Sequence, residues 1–248
     1  MRAGWAACRA IARRFYRPRG TPGEDHFAHS AGFGEADIHM GGDDPHFQNI
    51  VVRYRGTGKK RPILLLAHLD VVEALRSDWS VDPFHFIEKD GYYYGRGSFD
   101  DKAEAAVWIT NLLSFKQEGF QPDRDIIVAL TSGEESGEHN GVTWLLANHP
   151  DWIDAAFAFN EGADGVIRNG KKISNNIQAS EKVYYSVQLK TTDPGGHSSR
   201  PRPDNAIYQL ARALVRISQH SFPVELNEVT RLYFERTGNI EQGPLADA

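Results

Sequence analysis

Cysteine is nearly missing from this chain. Cys8 is the only one in 248 residues, so no intrachain disulfide can form. That fits a reducing compartment, and the cytoplasm is the expected location, although many secreted enzymes also lack disulfides. Long apolar runs are missing too. Nothing approaches the roughly 18 apolar residues of a membrane-spanning helix, so no membrane partner is expected. The basic residues 1–20 contain Arg9, Arg13 and Arg14, which break any signal-peptide core of about 7–15 apolar residues. A basic helix is expected there instead. No Lys/Arg stripe runs beside stacking aromatics, which argues against a nucleic-acid partner. Neither sign of charge dominates, and the formal net charge is −5.

What is present is ordinary globular material, 40% hydrophobic and 25% charged, enough for one large domain or two smaller ones. Residues 49–55 alternate and are rich in β-branched side chains, which predicts a strand followed by a Gly56-Thr57-Gly58 turn. The wholly apolar run 63–67 suits a strand buried on both faces. Residues 102–119 carry Ala106, Ile109, Leu112 and Leu113 at helical spacing and end at a glycine. A strand over 125–131, a helix over 142–148 and a third buried strand over 155–160 follow. Strands alternating with helices predict an α/β fold, a largely parallel sheet flanked by helices.

The pattern changes near Gln178. Val183, Tyr185, Val187 and Leu189 alternate with polar residues, as in a sheet with one wet face. Asp204 is placed to cap a helix over 205–220, with Ile207, Leu210, Ala211, Leu214 and Ile217 on one side. The domains read as 1–178, the N-terminal part of a catalytic domain, and 179–248, part of a smaller α+β domain.

Four polar clusters directly follow or adjoin predicted strands, where open α/β sheets gather ligands. In His68-Leu69-Asp70, residues two apart on extended chain share a side, so His68 can bind a metal while Asp70 orients it. Two loop residues would look the same. In the run from Gly95 to Lys102, Asp100 and Asp101 fall where a helix begins, as metal ligands or as plain N-caps. Glu134-Glu135 follows a strand. Adjacent carboxylates there are costly unless a cation or proton relieves them, and one can hold a metal while the other handles a proton of water. Glu161 follows the last strand, with Asp164 as a competitor. Nitrogen and oxygen donors without thiolate suit Zn²⁺, with Mn²⁺ or Co²⁺ as substitutes.

His68-Leu69-Asp70, Trp79, Asp82-Pro83-Phe84, Gly91-Tyr92, Gly95-Arg96-Gly97, Asp100-Asp101-Lys102, Glu134-Glu135 and Gly195-Gly196-His197-Ser198-Ser199 recur in one order. Over about residues 49–220 this resembles the co-catalytic zinc metallopeptidases. That family includes aminoacylase, carboxypeptidases G and S, succinyl-diaminopimelate desuccinylase and acetylornithine deacetylase. The resemblance implies two zinc ions. His68 and Glu161 would hold the first, Glu135 the second, and Asp100 would bridge them. Glu134 would be the general base activating a metal-bridging hydroxide, and Asp70 would support His68. His197 would sit in a lid that mediates homodimerisation, and would reach the partner subunit's active site to help hold the substrate or its oxyanion. The implied substrate is an N-acyl amino acid or small peptide. Arg200, Arg202 and Asn205 are weaker candidates: an arginine could clamp a substrate carboxylate, but all three sit beside a helix cap. His26, His29, His39, His46, His85, His139 and His149 have no partner pattern.

One departure stands out. The family expects a further histidine ligand far downstream, and after His197 only His220 follows, at the end of the predicted helix. The second zinc would keep only Asp100 and Glu135, short of the usual three protein ligands. A C-terminally truncated chain with weak or no turnover is therefore expected. A non-catalytic homologue that binds metal or partners is the alternative.

Overall fold

The computed structural model describes residues 32–163, 165–241 and 243. The basic helix expected over 1–20, together with Cys8, His26, His29 and Asp164, lies outside the described residues. The chain divides into two compact units, Met1–Glu161 and Gly162–Ala248.

The first unit contains a five-stranded sheet in the order β1-β2-β6-β3-β7. The strands are β1 (Ile38–Asp44), β2 (Phe47–Tyr54), β3 (Ile63–His68), β6 (Ile126–Thr131) and β7 (Phe157–Phe159). A separate hairpin pairs β4 (Ile87–Lys89) with β5 (Tyr92–Tyr94). The pairs β3–β6 and β3–β7 are parallel, whereas β1–β2 and β2–β6 are antiparallel, so the sheet is mixed. Its α/β class is the one the sequence predicts. The parallel part is the region where strands alternate with helices.

Strand alternation separates two cores. Ile50, Val52, Leu65, Ala67, Ile126, Val128 and Leu130 face α1 (Lys102–Glu118), meeting Ala105, Ile109 and Leu112. On the other face Val51, Leu64, Ile127 and Ala129 meet Leu145 of α2 (Gly141–Asn148), with Trp152 of α3 (Pro150–Ile153) beside them. The central strand β6 is buried along its whole length. Each such aliphatic side chain contributes about 1.5–3 kcal/mol by leaving water. Gly119 ends α1 in the left-handed region (φ 66°), its N–H reaching the Lys116 and Phe115 carbonyls.

Asn49, at the buried entry of β2, ties the layers together. Its Oδ1 accepts from the Ser132 N–H at 3.1 Å, and its Nδ2 donates to the Gly41 carbonyl at 2.9 Å. Gly141 lies against it: a Cβ there would fall 1.9 Å from Asn49 Oδ1. Gly141→Ala is therefore expected to lower stability by about 1–3 kcal/mol, the range for overpacking. A urea denaturation midpoint equal to that of the parent chain would contradict this.

Three sequence expectations need correction. The third strand exists but is not buried. Phe157 and Phe159 are about half exposed, because β7 pairs only with β3 among the described residues and forms a sheet edge. No strand forms over the described residues 176–200, and Val183, Tyr185 and Val187 are exposed. Alternation alone does not make a strand without a neighbour to complete the ladder. Finally, Asn205, not Asp204, caps the predicted helix, α4 (Ala206–Ser218), by accepting from the Tyr208 N–H at 3.0 Å. The Asp204 carboxylate instead takes the Gln209 and Arg212 side chains.

The second unit holds α4, α5 (Glu228–Gly238) and the antiparallel hairpin of β8 (Gly165–Arg168) and β9 (Lys171–Asn175). Compactness places this hairpin in the second unit, whereas the change of pattern near Gln178 puts the boundary after it.

Candidate metal centre

The parallel strands β3 and β6 run in register, with His68 opposite Thr131. Their carboxyl ends therefore lie at one edge, and β7 delivers Glu161 to the same edge. His68 is 3% exposed at the last position of β3. Its Nε2 lies 2.8 Å from Asp100 Oδ1 and 3.6 Å from Glu161 Oε1. Ligand atoms of His68, Asp100 and Glu135 all fall within 4.8 Å of one another, and so do those of His68, Glu134 and Glu161. The four residues expected to bind metal thus converge. Glu134, expected to stand apart as a base, lies among them. The grouping differs from the implied partition, because His68 belongs to both sets.

Asp70 supports this arrangement in two ways. The His68 Nδ1 is 3.1 Å from the Asp70 carbonyl oxygen and 3.5 Å from its carboxylate, so the main-chain oxygen is the closer partner. The Asp70 carboxylate accepts the backbone N–H groups of Glu134 at 3.2 Å and Glu135 at 3.0 Å. One side chain thereby fixes the turn that carries both glutamates. Burial opposes charge on Asp70, but the His68 hydrogen bond and these two amides outweigh it and hold the carboxyl below its usual value.

Asp101 was legible in the sequence as a possible metal ligand or cap. It occupies the N-cap position of α1, yet its side chain makes no capping bond. It is 3% exposed, and its Oδ2 accepts the His68 backbone N–H at 3.2 Å. Burial, with Glu104 beside it, pushes its carboxyl up to about 7. Glu104 itself is raised by burial despite a hydrogen bond to Asp101. Sequence reasoning missed Glu104 as a neighbour of the site. The available signal was its position three residues after Asp101, one helical turn on. The Lys102 ammonium donates to the Leu69 carbonyl, joining the two ligand-bearing loops again.

The loop motifs knit together in the same region. The Arg96 N–H donates to the carbonyl of buried Pro83 at 2.7 Å, and the Arg96 guanidinium lies over the Trp79 ring at 5.3 Å. A Cβ on Gly97 would fall 2.4 Å from Val71 Cγ1, so a glycine lets the Asp100 loop lie against the His68 loop.

The charge balance identifies the kind of ligand. Burial raises Glu134 and Glu161, and neighbouring carboxylates add to that rise while His68 opposes it. Burial pulls the His68 imidazole down, but hydrogen bonds to Asp70 and Asp100 outweigh this and lift it to about 10. One imidazole among this many carboxylates is a donor set with excess negative charge, and nitrogen and oxygen donors at this spacing fit a divalent cation.

The sequence profile of peptidase family M20/M25/M40 matches residues 64–234, more than half of the chain. The chain belongs to this family. Relatives within the M20 group include the N-fatty-acyl-amino acid synthase/hydrolase PM20D1 of Xenopus tropicalis, 35% identical over 167 residues that cover 65% of this chain and 32% of that protein. The probable carboxypeptidase S-like 2 of Dictyostelium discoideum is 32% identical over 199 residues, covering 77% and 38%. Mouse aminoacylase-1 is 31% identical over 182 residues, covering 70% and 42%. The chain thus spans between about a third and two fifths of the length of these M20 relatives.

The remaining candidates lie in the second unit. His197 is exposed at a loop tip. The Asn205 carboxamide oxygen is taken by the α4 cap, and Arg202 pairs with Asp193. The Arg200 N–H closes a turn on the His197 carbonyl at 2.9 Å. His220 packs edge-on against Phe222 just after α4 and is in neither ligand set. No helix among the described residues is long and apolar enough to cross a membrane.

Proposed function

We propose that this chain carries the metal centre of a zinc-dependent hydrolase that cleaves the amide bond of N-acyl amino acids or small peptides. The observation that carries the reading is the convergence of His68, Asp100, Glu135 and Glu161 at one sheet edge, with Glu134 among them. The names of the relatives, an aminoacylase, an N-fatty-acyl-amino acid enzyme and a carboxypeptidase-like protein, support the substrate class. His68, Asp100, Glu135 and Glu161 would hold two zinc ions, with manganese or cobalt as substitutes. When bound, zinc would activate water and polarise the acyl carbonyl.

The chain's own residues supply the rest. Glu134, with its carboxyl raised, takes a proton from the attacking water and returns it to the leaving amine. Asp70 keeps the His68 ring and the Glu134–Glu135 turn in place. In a dimer, His197 of one copy donates a hydrogen bond to the acyl oxygen at the other copy's site as negative charge develops there. In this reading residues 1–178 belong to the catalytic domain and 179–248 to a lid through which two copies pair.

The test is metal analysis of the purified chain after zinc loading, with hydrolysis of a panel of N-acyl amino acids measured in parallel. Bound zinc is expected, with at most weak turnover of any panel member. A protein that holds none of zinc, manganese or cobalt would sink the reading. A second reading, a homologue that binds metal without turnover, draws on His68 being the one imidazole shared by both ligand sets among the described residues. Tight zinc binding with no hydrolysis across the panel would favour it.

A further inference from the structure

The loop that carries His197 is fastened at its base. The Thr191 hydroxyl donates to the Ala206 carbonyl at 2.9 Å. The Asp193 carboxylate accepts the Gly195 N–H at 2.7 Å and pairs with the Arg202 guanidinium. Within this closed loop, Ser199 reaches back to the imidazole. Its backbone N–H points at His197 Nδ1 from 3.2 Å, and its hydroxyl lies 2.8 Å from the same nitrogen.

A backbone N–H can only donate. The Nδ1 must therefore offer its lone pair, and a neutral imidazole then carries its proton on Nε2. The hydroxyl, the closer contact at 2.8 Å, donates to the same nitrogen and holds the ring where the amide meets it, so the bias depends on the serine side chain. We propose that Ser199 is a positioning residue: it fixes His197 in the Nε2–H tautomer, so that the ring presents a donor, not an acceptor, outward from the loop tip. The inference rests on the reading of His197 as a donor to the acyl oxygen. With the other tautomer a bare Nε2 lone pair would face the developing negative charge and repel it, so the location of one proton decides whether the ring assists the reaction.

The test uses the full chain with ¹⁵N-labelled histidine, the His197 ring signals being assigned by their loss in His197→Gln. Spectra are recorded at a pH where the ring is neutral. The parent protein should show a protonated Nε2 and a bare Nδ1. Ser199→Ala should move a measurable share of the population to Nδ1–H, and Ser199→Thr should restore the parent pattern. A parent ring protonated at Nδ1, or an alanine variant with unchanged spectra, overturns the proposal. In kinetics on an N-acyl amino acid, Ser199→Ala should lower kcat about threefold to tenfold, the worth of one hydrogen bond, with KM nearly unchanged. Threonine should recover the loss. An effect confined to KM, or one that threonine does not rescue, also overturns it. If the parent chain hydrolyses nothing, the nitrogen spectra still decide the tautomer, and only the role given to His197 fails.

Discussion

Glu134→Gln is expected to lower kcat by about two to four orders of magnitude, the range for losing a positioned proton-transfer group, while metal content stays the same. The geometry makes this variant decisive. Glu134 shares a set with His68 and Glu161, close enough to be a ligand, yet its raised carboxyl suits a group that picks up and releases a proton. Glutamine keeps the size and one acceptor oxygen but cannot take the proton. If Glu134 is the base, turnover collapses and the zinc stoichiometry holds. Loss of metal from the variant would make Glu134 a ligand instead. A kcat within a few-fold of the parent would remove it from the chemistry.

His68→Ala is expected to cause the largest loss of cation binding, because the same imidazole belongs to both candidate ligand sets. Loss of a group that merely orients a ligand costs roughly 10–100-fold in metal affinity, and Asp70→Asn should fall in that range. Loss of a shared direct donor should exceed it. The variant also removes the imidazole that now lies 2.8 and 3.6 Å from the Asp100 and Glu161 carboxylates. Metal analysis of His68→Ala, Asp70→Asn and a His220→Ala control, dialysed side by side, checks the ordering. The control should match the parent. If His220→Ala loses a cation and His68→Ala keeps one, the assignment of ligands is wrong.

Much of this was readable from the residues. The apolar runs marked β3 and β6 because a strand covered on both faces has no polar side to show. Three of the four candidate metal positions, His68, Glu135 and Glu161, lie just beyond predicted strands, whereas Asp100 was marked by the start of the predicted helix. The less readable parts share a cause. Asp101 and Asn49 act through buried contacts with residues distant in sequence, 33 positions away for His68 and 83 for Ser132, which local spacing does not reveal. Asp70 was foreseen as a support for His68, but its hold on the amides of Glu134 and Glu135 depends on β3 and β6 being neighbours. The alternation of Val183 to Leu189 misled for the opposite reason: the local pattern was clear, but no described strand lies beside it. Asp204 and Asn205 are both good caps, and only the backbone decided between them.

The pairing of His68 with Thr131 has a consequence for how this protein can change over evolutionary or laboratory time. The excursion from β3 to β6 carries α1, whose inner face is core, but its exposed loops can lengthen or shorten at modest cost. A single residue inserted within either strand would turn every following side chain to the opposite face. His68 would rotate away from Asp100 and Glu161, and both cores would invert. Length variation is therefore channelled into the connecting loops, while the two strands act as a fixed ruler beneath them.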